Sequence, residues 1–231
     1  MERWAARAMG DLVRYLRDHA GQVAGLTAEH VTMVLLAVVV AVVIGVPLGI
    51  AATRWRRWER VVMGTSNVLQ TIPSLALFGF LIPVPFIGGV GARTAIVALT
   101  LYALLPIVRG THAGIRGVEP AVREAGLGLG MTGGQLLRRV ELPLAAPVIL
   151  SGVRVATVIS VGIATIAAAI GAGGLGVYIF QGLAMVNDTV ILAGAVPAAL
   201  LALAADSLLG LIERRLTPAG HADRRMEGRP T

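Results

Sequence analysis

Residues 31–52 read VTMVLLAVVVAVVIGVPLGIAA, from Val31 to Ala52 without one charged side chain. As a helix rising about 1.5 Å per residue, such a run reaches across a hydrocarbon core roughly 30 Å thick. Composition says the same of the rest. Of 231 residues, 56% are hydrophobic and only 14% charged, and the mean hydropathy is +0.79. That is too little polar surface to cover a water-soluble globule, so the bilayer is the solvent the sequence calls for.

Four further apolar runs come after it, at about 61–87, 94–108, 148–170 and 189–212, which predicts an all-α membrane protein of about five transmembrane helices. Pro47, Pro73, Pro83, Pro106 and Pro197 fall inside these runs. In water they would argue against helix, but in a bundle neighbouring helices satisfy the freed carbonyls. Kinks or breaks are expected around Pro73 and the segment Pro83-Val84-Pro85.

Arginine sets the orientation, because cytoplasmic loops carry the excess of positive charge. Arg54, Arg56, Arg57 and Arg60 come directly after the first span, and Arg109, Arg116, Arg123, Arg138 and Arg139 lie between the third and fourth. Arg214, Arg215, Arg224, Arg225 and Arg229 come after the fifth. With five spans all three clusters share one side, so the N-terminus is outside and the C-terminus inside. The two outer loops, 88–93 and 171–188, are poor in arginine. The second could be a loop, a re-entrant turn or a short extra helix.

The chain divides into three units: an N-terminal segment 1–26, a transmembrane domain 27–213 and an Arg-rich cytoplasmic tail 214–231. The N-terminal segment has no apolar stretch behind its first charges and is not a signal peptide. Trp4, Ala8, Leu12, Tyr15 and Leu16 recur at helical spacing. A helix in the outer interface and a short solvated helix both fit that spacing.

The net charge of +7 does not point to nucleic acid, since most arginines flank spans, where lipid headgroups lie. Cysteine is absent, which excludes disulfides and thiolate metal sites, and His19, His30, His112 and His221 show no ligand spacing. No metal site and no catalytic constellation is expected.

Residues 123–143, REAGLGLGMTGGQLLRRVELP, contain Gly128-Leu129-Gly130-Met131-Thr132-Gly133, which matches the dinucleotide fingerprint G-x-G-x-x-G. The fingerprint works only where a strand delivers the glycines to a helix N-terminus, and the residues ahead of it, from Pro120, read as helix. All twenty basic residues are Arg, so no lysine is present for a P-loop either. The match is one of chance in a chain with 29 glycines. Instead the stretch predicts a helix over 120–129, a left-handed Gly130, and a second helix capped by Thr132 with Gln135 that ends at Pro143. This helix–bend–helix lies in the cytoplasmic loop 117–143. It serves either as a packed connector or as a narrow face for a groove in another protein.

Glu124-Ala125-Gly126, three residues, Gly130, nine residues, then Val140-Glu141-Leu142-Pro143 resembles the EAA loop of bacterial ABC importer permeases, E-A-A-x3-G-x9-I-x-L-P. Gly126 and Val140 depart from that pattern and keep its size classes. SNVLQTIPSLALFGFLIPVP (66–85) and IGAGGLGVYIFQGL (170–183) are similar to segments of osmoprotectant permeases for glycine betaine, carnitine, choline or proline. Methionine-type permeases share the second segment more than the first.

The resemblance implies the type I importer transmembrane domain, in the bacterial inner membrane. It implies pairing with a second permease, identical or a paralogue, and with two ATPase subunits, which bind ATP and Mg. A separate extracytoplasmic binding protein would deliver the solute. It also assigns Arg123, Glu124, Ala125, Gly126, Gly130, Leu142 and Pro143 to ATPase coupling, with Arg123 and Glu124 available for ion pairs to the ATPase. A permease for another small solute such as an amino acid is the nearest alternative. An ATP-independent carrier would need midplane carboxylates and an internal repeat, and neither is found.

Arg154 and Asp206 are charges inside the fourth and fifth spans at matching depths. Such charges are paired or functional. A structural ion pair is expected, with a proton relay as the alternative. Phe78, Phe80, Phe86, Tyr102, Tyr178 and Phe180 are too scattered to predict an aromatic cage, so substrate contacts stay unassigned. The small runs Gly162 to Thr165 and Ala167 to Ala169 suit close helix contacts, within the subunit or between two permeases.

Overall fold

The computed structural model describes residues 2–216, with side chains described from Met9 onward except at position 56. Trp4 and Ala8 side chains, and Arg224, Arg225, Arg229 and His221 in 217–231, lie outside the described residues. Ten α-helices and no strand are found among those residues: α1 (Glu2–Asp18), α2 (Ala20–Arg54), α3 (Arg56–Thr71), α4 (Ser74–Leu81), α5 (Ala92–Arg116), α6 (Pro120–Gly128), α7 (Gly133–Leu136), α8 (Leu142–Ile166), α9 (Gly176–Met185) and α10 (Asp188–Leu216).

Four of the five predicted spans are present as single helices, each longer than its apolar run. α2 starts at Ala20, well before Val31, so residue 26 is no boundary between elements. Hydropathy marks the part of a helix immersed in lipid; the backbone hydrogen bonds continue beyond it.

The run 61–87 is a bent helix pair, with the length and composition of either a broken span or a re-entrant loop. Ile72, ahead of a proline, is driven to an extended conformation (ψ 124°), and Pro73 begins a new helix at 102° to the first. Taken as one crossing, α3 with α4 completes five spans alongside α2, α5, the rod running from Gly133 to Ile170, and α10.

α5 is the central helix. Ala95, Ala98 and Leu99 are wholly buried against Met33, Val34 and Ala37 of α2, Leu77 and Phe78 of α4, and Val161 and Ala164 of α8. Glycines bring these backbones together: a Cβ on Gly49 would lie 2.5 Å from the Cβ of Thr111, and one on Gly110 would lie 3.0 Å from the Cα of Gly152. On the outer face, the Gly91 N–H donates to the Ile170 carbonyl at 2.9 Å, tying the loop after α4 to the end of the rod.

Pro143 does not end a helix, contrary to expectation. A π-turn over Leu137–Glu141 joins α7 to α8, and the Leu142 N–H bonds back to Leu137. Widening the turn just before the proline moves the carbonyls clear of its ring, so the rod continues.

Residues 171–188 hold a short helix. At ten residues α9 is about 15 Å long and cannot cross the core. It packs on α10, and the Asn187 side chain then caps α10 by accepting from the Thr189 and Val190 N–H groups at 3.1 and 3.3 Å. α1 lies against the same end of α10, with Leu12 buried and Tyr15 edge-on to Tyr178 at 5.9 Å.

Candidate functional site

The cytoplasmic site is built from α6 and the turn after it. Pro120 fits the first helical position because its missing N–H would have no intrahelical partner there. At the other end Gly130 takes φ 78°, a left-handed conformation that costs glycine little. The Gly130 N–H bonds to Leu127 at 2.9 Å and the Met131 N–H to Gly126 at 3.1 Å, the double bond pattern of a Schellman stop. Thr132 then opens α7. Its hydroxyl accepts from the Gln135 N–H at 3.3 Å, while the Gln135 side chain accepts from the Thr132 N–H at 2.9 Å. The bend is thus held from both sides. The six residues of the fingerprint are spent on this stop and cap.

Gly126 is the one buried residue of α6. A Cβ there would stand 2.7 Å from Leu136 Cδ1, so its lack of a side chain seats α6 on α7. The opposite face is bare. Glu124 and Ala125 are exposed, Leu127 is 55% and Leu129 80% exposed, and Glu124 makes no ion pair among the described residues.

Arg123 turns the other way. Its Nε lies 3.2 Å from Glu141 Oε1 and its Nη2 donates to the Ile115 carbonyl at the end of α5. Glu141 is 1% exposed, and Arg54, the last residue of α2, donates to its second oxygen, Oε2. Sequence reading passes over Glu141 because it stands at the free position of the motif's last four residues. The available signal is that it is the one acid between Gln135 and Arg154. Leu142 is half-buried and Pro143 exposed at the start of α8. Beside this cluster Glu59 on α3 lies 3.3 Å from both His112 Nε2 and Arg116 Nη2, joining α3 to α5.

Within the membrane, Arg154 grips Asp206 with two hydrogen bonds, Nε to Oδ1 at 2.6 Å and Nη2 to Oδ2 at 2.7 Å. Its Nη1 reaches Glu213 at 3.3 Å. Glu213 is a third member that the expected end of the span, at Ile212, leaves out; its spacing of seven from Asp206 puts it on the same face of α10.

The aromatic side chains form no cage. Phe78, Tyr102 and Tyr178 are core residues, whereas Phe80, Phe86 and Phe180 are exposed. The small runs divide: Ala164 and Ala167 are buried in the chain's own core, while Gly162 has open space around it.

Residues 45–218 match the family of binding-protein-dependent transport system inner membrane components. The chain is 47% identical over 212 residues to the choline transport system permease protein OpuBB of Bacillus subtilis, covering 92% of this chain and 96% of that protein. It is 46% identical over 212 residues to the osmoprotectant import permease protein OsmW of Salmonella typhimurium, covering 91% and 99%. Among solved structures it is similar to a chain of the MetNI methionine ABC transporter in an inward-facing conformation. The TM-score there is 0.75 at 28% identity, over 82% of this chain and 94% of that one.

Proposed function

The chain belongs to the family of binding-protein-dependent transport system inner membrane components, and from that membership we propose that it forms part of the translocation pathway of an importer for quaternary-ammonium solutes. It is a transport subunit of the inner membrane, not an enzyme. The relatives' names favour choline, glycine betaine and carnitine as cargo.

The observation that carries the coupling role is the bare face of α6. Leu127 is apolar and exposed on a helix at the cytoplasmic end of the bundle, beside Glu124, which makes no ion pair among the described residues; Val122 and, just past the helix end, Leu129 add exposed apolar surface around it. Apolar surface held in water by a double cap is a surface kept for a partner. In this reading two ATPase subunits, holding ATP and Mg, grip α6 on each of two permeases. Closure of the ATPase pair then rocks the permeases, and a separate binding protein supplies the solute from outside.

Purification through the ATPase tests this. The wild-type permease is expected to be retained, while Glu124→Ala and Gly130→Pro lose retention and uptake of radiolabelled choline or glycine betaine. Undiminished retention in both variants would overturn the role of α6.

A further inference from the structure

We propose that Glu141 is a positioning residue that clamps the coupling helix to the spans, so that movement of α6 carries the inner ends of α2 and α8 with it. The inference rests on the reading of α6 given above.

Glu141 belongs to a cytoplasmic π-turn, where a carboxylate could reach water at little cost, yet it is 1% exposed. A buried carboxylate is tolerated only when paired. Here each oxygen has its own arginine, Oε1 facing Arg123 of α6 and Oε2 facing Arg54 of α2. Arg123 also holds the carbonyl of Ile115, so α2 and α6 meet the carboxylate at the foot of α8 directly and α5 is tied in through Arg123.

Without the clamp α6 has weaker ties. On one side it connects to α5 through residues 117–119, and on the other to α7 through the turn 129–132; both connectors contain a glycine. The contact of Gly126 with Leu136 seats α6 on α7 alone. The π-turn is a place where a helix can change its hydrogen-bond register, and Glu141 is its last residue. The clamp thus makes a push on α6 a push on the spans. It explains why Arg123, beside the exposed Glu124, faces inward: the two neighbours divide the work of holding the ATPase and holding the bundle.

The test uses the assembled complex, permeases with ATPases, in liposomes with its binding protein, and reads solute moved per ATP hydrolysed. Glu141→Gln is expected to assemble and to hydrolyse ATP at the wild-type rate or faster, while transport per ATP falls on the order of tenfold. Glu141→Asp, which keeps the charge, is expected to recover part of that loss. If Glu141→Gln fails to assemble, Arg123→Gln decides, because it leaves Glu141 paired with Arg54 and no buried charge alone; the same loss of stoichiometry is expected. Unchanged transport per ATP in the assembled variant, or hydrolysis and transport falling in proportion, overturns the clamp. Glu124→Ala run in parallel separates the two readings: if it leaves ATPase retention unchanged, docking on α6 fails, whatever Glu141 does.

Discussion

At the scale of single residues, Arg154 shows how a membrane interior assigns partners. Its guanidinium serves two anions, Asp206 through a two-point bond and Glu213 through one contact. Removing one side of such a pair leaves a charge that lipid cannot hydrate, whereas removing both leaves none. Two outcomes are therefore expected from thermal unfolding in detergent. Arg154→Gln lowers the melting temperature more than Asp206→Asn, because it takes the cation from two carboxylates while Asp206→Asn leaves Arg154 one anion. The double variant is more stable than the sum of the singles predicts. Strict additivity of the two effects would show that the pair is not coupled. The pair is legible in the sequence because each charge stands alone in an apolar run. Glu213 is not, lying one residue past the predicted end of the span, and Glu141 is hidden among arginines whose targets only the fold reveals.

At the scale of elements, the sequence predicts the effect of a proline where local geometry decides and mispredicts it where packing does. Pro73 breaks its helix because Ile72, the residue before it, cannot stay helical. Pro143 does not, since a π-turn precedes it, and the last residue of that turn, Glu141, is buried against arginines of α2 and α6, contacts that local sequence does not reveal. The helix–bend–helix is legible for the opposite reason: Gly130 and the Thr132–Gln135 pair act within a few residues of themselves. The seating of α9 is not legible. It depends on Gly194, where a Cβ would stand 2.5 Å from the Leu175 carbonyl and 3.0 Å from the Ile179 N, both backbone atoms that cannot turn aside. Overpacking against side chains costs about 1–3 kcal/mol and more against backbone, so Gly194→Val is expected to displace α9 and cut the yield of folded protein sharply. Gly64→Ala, with no atom within 4 Å of the new Cβ, is expected to behave as wild type in the same purification. Equal yields of the two variants would mean that α9 is not seated on α10 as described.

At the scale of the whole molecule, arginine placement and helix count support each other. Arg54, Arg57, Arg60, Arg116, Arg123, Arg138, Arg139, Arg214 and Arg215 gather at one end of the bundle, and Arg93 stands near the other. One element runs against the rule. α1 carries Arg3, Arg7, Arg14 and Arg17, yet its Tyr15 meets Tyr178 of α9, which places it at the outer end, where positive charge is disfavoured. The neighbouring helix resolves the conflict. The uncharged run of α2 inserts outside-to-inside because the four arginines behind it, Arg54 to Arg60, lie within eight residues of its end at Ala52, whereas the four of α1 lie 14 or more residues ahead of its start at Val31. Cysteine is absent from the chain, so single cysteines can test this directly with an impermeant maleimide on spheroplasts expressing the permease alone. Met9→Cys, 62% exposed, and Val90→Cys, 78% exposed, are expected to label from outside, and Leu129→Cys, 80% exposed, only after permeabilisation. Labelling of Val90→Cys from outside with Met9→Cys protected until permeabilisation would put α1 in the cytoplasm. The number of crossings between residues 9 and 129 would then have to be even instead of odd, and the agreement between charge and count on which the five-span fold stands would break.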